Sequence, residues 1–156
     1  NGGQYTHAAV WLALACYELG MSGEGYEILQ ALLPEKHDPG QYQAEPHVIA
    51  ADVYANPQHL GRGGWSWYTG AAGWYLQTAL SGLLGLQVKG GALTISPQMP
   101  AGWAGFSLQW RSEQWNLHIA VRRGETAGMR MDETPVEDIP LQNLSGEHRV
   151  EVTVVE

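Results

Sequence analysis

Four positions carry groups from which an anion site can be built. His7 lies in NGGQYTHAAVW, where two glycines permit close backbone approach just ahead of a helical pattern. An imidazole there acts as a cap, a core residue or an anion ligand. Thr69 and Gly70 open a later helical pattern, GAAGWYLQTALSGLLG. The first turn of a helix has free N–H groups and a partial positive charge, so it suits phosphate or carboxylate. Thr69 would add a hydroxyl and Gly70 would let the anion reach the backbone. The plainer reading of Thr69 is an N-cap. Arg62 stands among Gly61, Gly63 and Gly64, but no Lys-Ser/Thr pair follows, so this is not a P-loop and a nucleotide site is disfavoured. Trp65, Trp67 and Tyr68 come next, offering flat faces for sugar stacking or for ordinary aromatic packing.

Other chemistries find less support. Glu45 and Asp52 are acidic, and glycosidic chemistry uses paired carboxylates, yet nothing in the pattern fixes their separation. Both read as structural or as substrate contacts. His37, His47, His59 and Asp38 do not recur at metal-ligand spacings, and with Cys16 the sole cysteine no metal site is expected. No G-x-S-x-G elbow is present.

The elements that must hold these residues change type along the chain. Ala9, Val10, Leu14 and Tyr17 recur at helical spacing up to Gly20, a helix stop. Ser22 is placed to cap a second helix, which Pro34 ends. PEKHDPGQYQAEPH reads as a long surface loop, and VIAADVYA fits a helical turn or a strand. The third helix, with Trp74 and Leu76 as packing residues, ends near Gly82 or Gly85. Beyond residue 86 alternation takes over. Residues around Gly90-Gly91 suggest a hairpin. GFSLQWR, QWNLHIAVRR and HRVEVTVVE each carry one apolar face. Residues 125–146 show no clear pattern. The fold class is therefore α+β, helical hairpins (residues 1–86) followed by a small antiparallel β unit (residues 87–156).

Bulk properties exclude some partners. The net charge of −8 and pI near 5.1 argue against nucleic acid. With 44% hydrophobic and 15% charged residues the chain has the composition of a folded domain. Seven tryptophans against one phenylalanine favour rings with a polar handle, a choice that suits carbohydrate sites and aromatic cores alike. No apolar run is long enough to span a membrane, and no signal peptide is apparent. The chain starts inside what reads as a motif, so a piece of a larger protein is expected.

Three segments in order, NGGQYTHAAVW, EPHVIAADVYANPQHLGRGGWSWYTGAAGW and GLQVKGGALTISPQMPAGWAGFSLQWR, resemble the C-terminal part of glycoside hydrolase family 94 over roughly residues 1–122. That family holds the cellobiose and chitobiose phosphorylases and the phosphorylase-like region of cyclic β-1,2-glucan synthases, and the wording around ADVY and GRGGWSWYTG is nearest the synthase branch. The resemblance implies the last helices of an (α/α)6 barrel in residues 1–86 and a β-sandwich-like C-terminal domain in 87–156. It implies inverting phosphorolysis of a β-glucosidic bond, with inorganic phosphate as co-substrate, a β-glucan oligosaccharide as substrate, and no organic cofactor or metal. By the same resemblance His7, Thr69 and Gly70 bind phosphate, and Arg62 is a phosphate or loop contact. Trp65, Trp67, Tyr68 and Glu45 are candidates to touch sugar. The catalytic aspartic acid, further phosphate-holding arginines and a glutamate directly before Asn1 would lie upstream. No catalytic residue is therefore expected within the chain, which would need the upstream part of the same protein as its partner. The location implied is the bacterial cytoplasm or the cytoplasmic face of the inner membrane. Two other readings stand beside this one: a non-catalytic carbohydrate-binding module and a purely structural domain.

Overall fold

A computed structural model of the protein describes residues 2–45, 48–67 and 69–155, with Thr69 described by its backbone alone. The chain divides into two compact units, Asn1–Leu83 and Leu84–Glu156.

In the first unit a short strand, β1 (Gly3–Tyr5), runs directly into helix α1 (Thr6–Glu18). Thr6, Val10, Ala13, Cys16 and Tyr17 form its buried stripe at helical spacing. Gly20, with φ of 74°, lies just past its end, a left-handed position that favours glycine. Helix α2 (Ser22–Ala31) follows. Ser22 is its first helical residue rather than its cap: Met21 occupies the N-cap and no side chain bonds to the helix end. The expected surface loop contains a 3-10 turn at Pro34–Lys36 and a single helical turn, α3 (Pro39–Tyr42), which Asp38 caps by accepting from Gln41 N at 2.9 Å. Two more short strands, β2 (Asp52–Tyr54) and β3 (Gly63–Gly64), precede helix α4 (Thr69–Thr78) and a π turn at Ala79–Leu83. Strands β1, β2 and β3 make an antiparallel sheet in that order. Trp74 and Leu76 are exposed, contrary to their expected packing role, because α4 turns Ala71 and Thr78 inward instead.

Tyr17 is where the helices meet. A Cβ on Gly25 would fall 2.9 Å from its ring, and one on Gly82 would fall 2.7 Å from it. Two glycines from separate segments thus flank one aromatic ring, and burial pushes its hydroxyl up to about 12. Tyr75, also raised to about 12 chiefly by burial, ties α4 to α2 by donating to the Leu29 carbonyl at 3.0 Å.

The second unit is all β. Strands β4 (Leu86–Lys89) and β5 (Ala92–Ile95) form the hairpin expected at Gly90-Gly91. Strands β6 (Gly105–Arg111), β7 (Trp115–Arg123), β8 (Gly128–Met131), β9 (Thr134–Val136), β10 (Ile139–Pro140) and β11 (Gly146–Val154) complete it. One sheet has the order β10-β5-β4, the other β6-β7-β11-β8-β9. Their inward residues, among them Leu93, Leu117, Ile119, Ile139 and Val150, make one core. The expectation of a purely antiparallel unit needs correction. Strand β11 lies parallel to β7, with Gly146 opposite Trp115 and Val154 opposite Arg123. It inserts between β7 and β8 and runs antiparallel to β8, which leaves it parallel to β7. Residues 125–146, patternless in the sequence, supply β8, β9 and β10.

Candidate functional site

The small sheet β1-β2-β3 sets the site by placing two helix starts side by side. Strand β1 leads into α1, so His7 sits in that helix's first turn. Strand β3 leads through Trp65 and Trp67 to the start of α4. Ala51 joins the two segments: its carbonyl accepts from Thr6 N at 2.8 Å and its N–H donates to the Trp65 carbonyl at 3.0 Å. Its side chain is buried.

The result brings His7 against Gly70. A Cβ on Gly70 would stand 3.9 Å from both Cε1 and Nδ1 of the imidazole. The opposite nitrogen, Nε2, is buried and makes no hydrogen bond to any described residue. The ring is walled by aromatics: Trp11 at a centroid distance of 4.8 Å and 80°, Trp74 at 6.2 Å and Tyr5 at 6.4 Å. Trp11 and Trp74 also meet edge to face at 5.7 Å. Neither tryptophan stood among the expected site residues. The signal was available, because Trp11 follows His7 and Trp74 follows Gly70 by four residues, the spacing that puts side chains on one helix face.

The loop before α4 holds a second group. Trp65 and Trp67 are 77% and 65% exposed and have φ of 38° and 64°, left-handed positions unusual for a bulky residue. Trp67 Nε1 donates to Glu45 Oε1 at 3.1 Å, so these two candidate sugar contacts are brought together. Arg62 is exposed, and its carbonyl accepts from Tyr54 N at 2.9 Å. Beside it Gly64 is pressed onto β2: a Cβ there would fall 2.4 Å from Asp52 Oδ1 and 2.8 Å from the Tyr54 hydroxyl. Asp52 Oδ1 is buried without a hydrogen-bond partner among the described residues. Tyr68, His47 and the Thr69 side chain lie outside what is described.

Chemically the arrangement offers an imidazole, the N–H groups of a helix start freed of a side chain at Gly70, and aromatic rings beside them. Such donors make charge-assisted hydrogen bonds to an anion. No group of three or more His, Cys, Asp or Glu that could hold a metal occurs among the described residues. A shallow groove of about 900 Å³ lies on the outer face of the five-stranded sheet, lined in part by His118, Asp132, Glu147 and His148; none of the expected site residues is there.

Comparison with known proteins agrees with the resemblance. The model of the glycosyl hydrolase 94 superfamily catalytic domain matches residues 1–85. The cyclic beta-(1,2)-glucan synthase NdvB of Rhizobium meliloti (strain 1021) is 40% identical over 133 residues, covering 82% of this chain and 5% of the relative. The chain belongs to the glycosyl hydrolase 94 superfamily. Two other similar proteins are phosphorylases. The 3-O-beta-D-glucopyranosyl-beta-D-glucuronide phosphorylase of Paenibacillus borealis is 29% identical over 82% of the chain and 17% of its own length. The N,N'-diacetylchitobiose phosphorylase of Vibrio furnissii is 26% identical over 97% of the chain and 20% of its own length. The chain thus spans between 5% and 20% of these family 94 relatives. No helix among the described residues is long and apolar enough to cross a membrane.

Proposed function

We propose that the chain contributes the phosphate-binding side of the active site in an inverting β-glucan phosphorylase or a cyclic β-1,2-glucan synthase of family 94. The observation that carries this is the imidazole of His7 set against Gly70 at the start of α4, two residues far apart in sequence joined by one small sheet. In this reading residues 1–86 are the last helices of an (α/α)6 barrel, and the rest of the barrel is the partner that completes the site.

A phosphate oxygen attacks the anomeric carbon from the face opposite the glycosidic oxygen. The bond from that carbon to the leaving oxygen breaks, and an acid from the rest of the barrel protonates the departing sugar. Glucose 1-phosphate and a glucan shorter by one unit result. Phosphate is already a nucleophile, so the second carboxylate of an inverting hydrolase is not needed. The work of this chain is to hold phosphate in line: His7 donates to one oxygen, and the α4 start with Thr69 and Gly70 receives another. Arg62 adds positive charge at the rim. Trp65 and Trp67, exposed and ahead of the helix, stack a sugar of the β-glucan, with Glu45 orienting Trp67. Phosphate is the only co-substrate, and the protein works in the cytoplasm or on the cytoplasmic face of the inner membrane.

The test is phosphorolysis by the full-length protein: release of glucose 1-phosphate from β-1,2-glucan and inorganic phosphate. His7→Ala should raise the phosphate KM about 10- to 100-fold, the scale of losing a hydrogen bond to a charged group worth roughly 1.5–3 kcal/mol. Gly70→Ala is the sharper variant. Its methyl would meet His7 only at ordinary contact distance, so the fold should hold while phosphate approach is narrowed. A phosphate KM unchanged in either variant would reject the assignment. No phosphorolysis of 1,2- or 1,4-linked glucan by the full-length protein would favour a binding role for the exposed tryptophans.

A further inference from the structure

The His7 imidazole sits among aromatic rings. Its Nε2 is buried without a hydrogen-bond partner among the described residues, so no such bond fixes the ring's rotation there. What surrounds the imidazole is aromatic. Trp11 stands one turn on from His7 along α1, and Trp74 stands one turn on from Gly70 along α4. The two indoles cross at 82° and 5.7 Å, and each also faces the imidazole, at 4.8 Å and 6.2 Å. The three rings form a closed triangle in which each constrains the other two. Both indoles are substantially exposed in this chain, Trp11 at 51% and Trp74 at 38%.

We infer that Trp11 and Trp74 are positioning residues for His7, fixing the plane of its imidazole so that the ring edge beside Gly70 is presented to the bound anion. This rests on the reading that His7 and Gly70 hold phosphate. A histidine side chain has two rotatable bonds, and its aromatic torsion is broad and roughly two-fold. An edge-to-face contact with Trp11 and a tilted one with Trp74 restrict that freedom before the ligand arrives, lowering the cost of binding. In this assignment the tryptophans meet His7 rather than the anion, so their removal acts on phosphate binding through His7.

The experiment is a double-mutant cycle in the full-length protein, with phosphate and glucan KM and kcat measured separately. Trp11→Leu and Trp74→Leu should each raise the phosphate KM by about five- to tenfold and leave the glucan KM and kcat within about twofold. In a His7→Ala background the same substitutions should have no further effect on phosphate. If His7→Ala leaves the phosphate KM unchanged, the phosphate reading fails and the positioning role falls with it. If His7→Ala raises it but the leucine variants do not, the positioning role alone is overturned. Effects that simply add in the His7→Ala background would equally overturn it, since the indoles would then act on something else. Should the leucine variants fail to fold, Trp11→Phe and Trp74→Phe carry the same cycle. A smaller rise that vanishes without His7 is expected, and an additive rise rejects the idea.

Discussion

At the scale of single residues, Trp65 and Trp67 hold backbone positions that bulky side chains rarely adopt. A non-glycine residue in the left-handed region costs about 1–2 kcal/mol. Trp65 bears this with its indole largely in solvent. Strain kept at an exposed aromatic is expected where the ring is held out for a ligand. Trp65→Gly would relieve it, offset by the roughly 0.5–1 kcal/mol of extra unfolded-chain entropy that glycine brings. We therefore expect a net gain of up to about 1 kcal/mol in unfolding free energy together with weaker binding of β-glucan. Urea titration and glucan affinity measured on one variant check both halves, and a loss of stability would refute the strain argument. His7 and Gly70 were each visible in the sequence as anion ligands, but their pairing came from the family resemblance alone. The strands that join them are two or three residues long, too short for any periodicity to show.

At the scale of elements, the helices are held by close approach rather than by bulk. In Gly82→Ala, better helix propensity would contribute at most about 1 kcal/mol. The added methyl would press into the Tyr17 ring, an overpacking cost of about 1–3 kcal/mol. We expect net destabilisation of about 1–2 kcal/mol by chemical denaturation, with Gly23→Ala, whose Cβ would meet open space, neutral or stabilising. Equal effects at the two glycines would show that the contact with Tyr17 is not what selects glycine. Among the strands, the start of β11 is clamped by His148. Its Nδ1 lies 2.6 Å from Asp132 Oδ2 and its Nε2 3.1 Å from the Ser145 carbonyl, so both ring nitrogens face acceptors, as in the imidazolium. The hydrogen bond with Asp132 raises His148 above its usual 6.5, and the hydrogen bond with His148 holds Asp132 below its usual 3.8. The histidine's contribution is full below pH 6.5 and is lost as pH rises through the raised value; the aspartate's is present above 3.8 and is lost as pH falls through the lowered one. The melting-temperature gap between the protein and its His148→Gln variant should accordingly be wide near pH 5.5 and narrow towards about pH 9. A gap constant across that range would show the clamp to be uncharged. Strands β6 and β7 were legible because seven and nine residues of alternation declare a face. Strands β8 to β10 were not, because they are short and turn at Asp132 and Glu133 with positive φ but without the usual Asn-Gly signal.

For the molecule as a whole, the α+β class and the change from helix to strand could be read from composition and period, since both are local properties. Direction and neighbourhood could not. Alternation in HRVEVTVVE tells which side chains face inward and says nothing of whether the next strand runs with it or against it. That gap left the parallel pairing of β7 with β11 unseen. In the first unit, exposed Tyr5, Trp11, Leu12, Trp65, Trp67 and Trp74 give the surface an apolar character that the sequence pattern assigned in part to a core.

The central place of β11 bears on how the second unit is made on the ribosome. Strands β6 and β7 emerge as one hairpin, and β8 and β9 emerge as another. Neither can bond to the other until the strand that lies between them has been translated, and that strand, β11, comes after both hairpins in the chain. The hydrogen bonds that join the two ribbons into one sheet all run through residues 146–154. A stop codon ahead of Gly146 would accordingly remove the middle of the sheet rather than trim its margin, leaving two open edges free to pair with other chains.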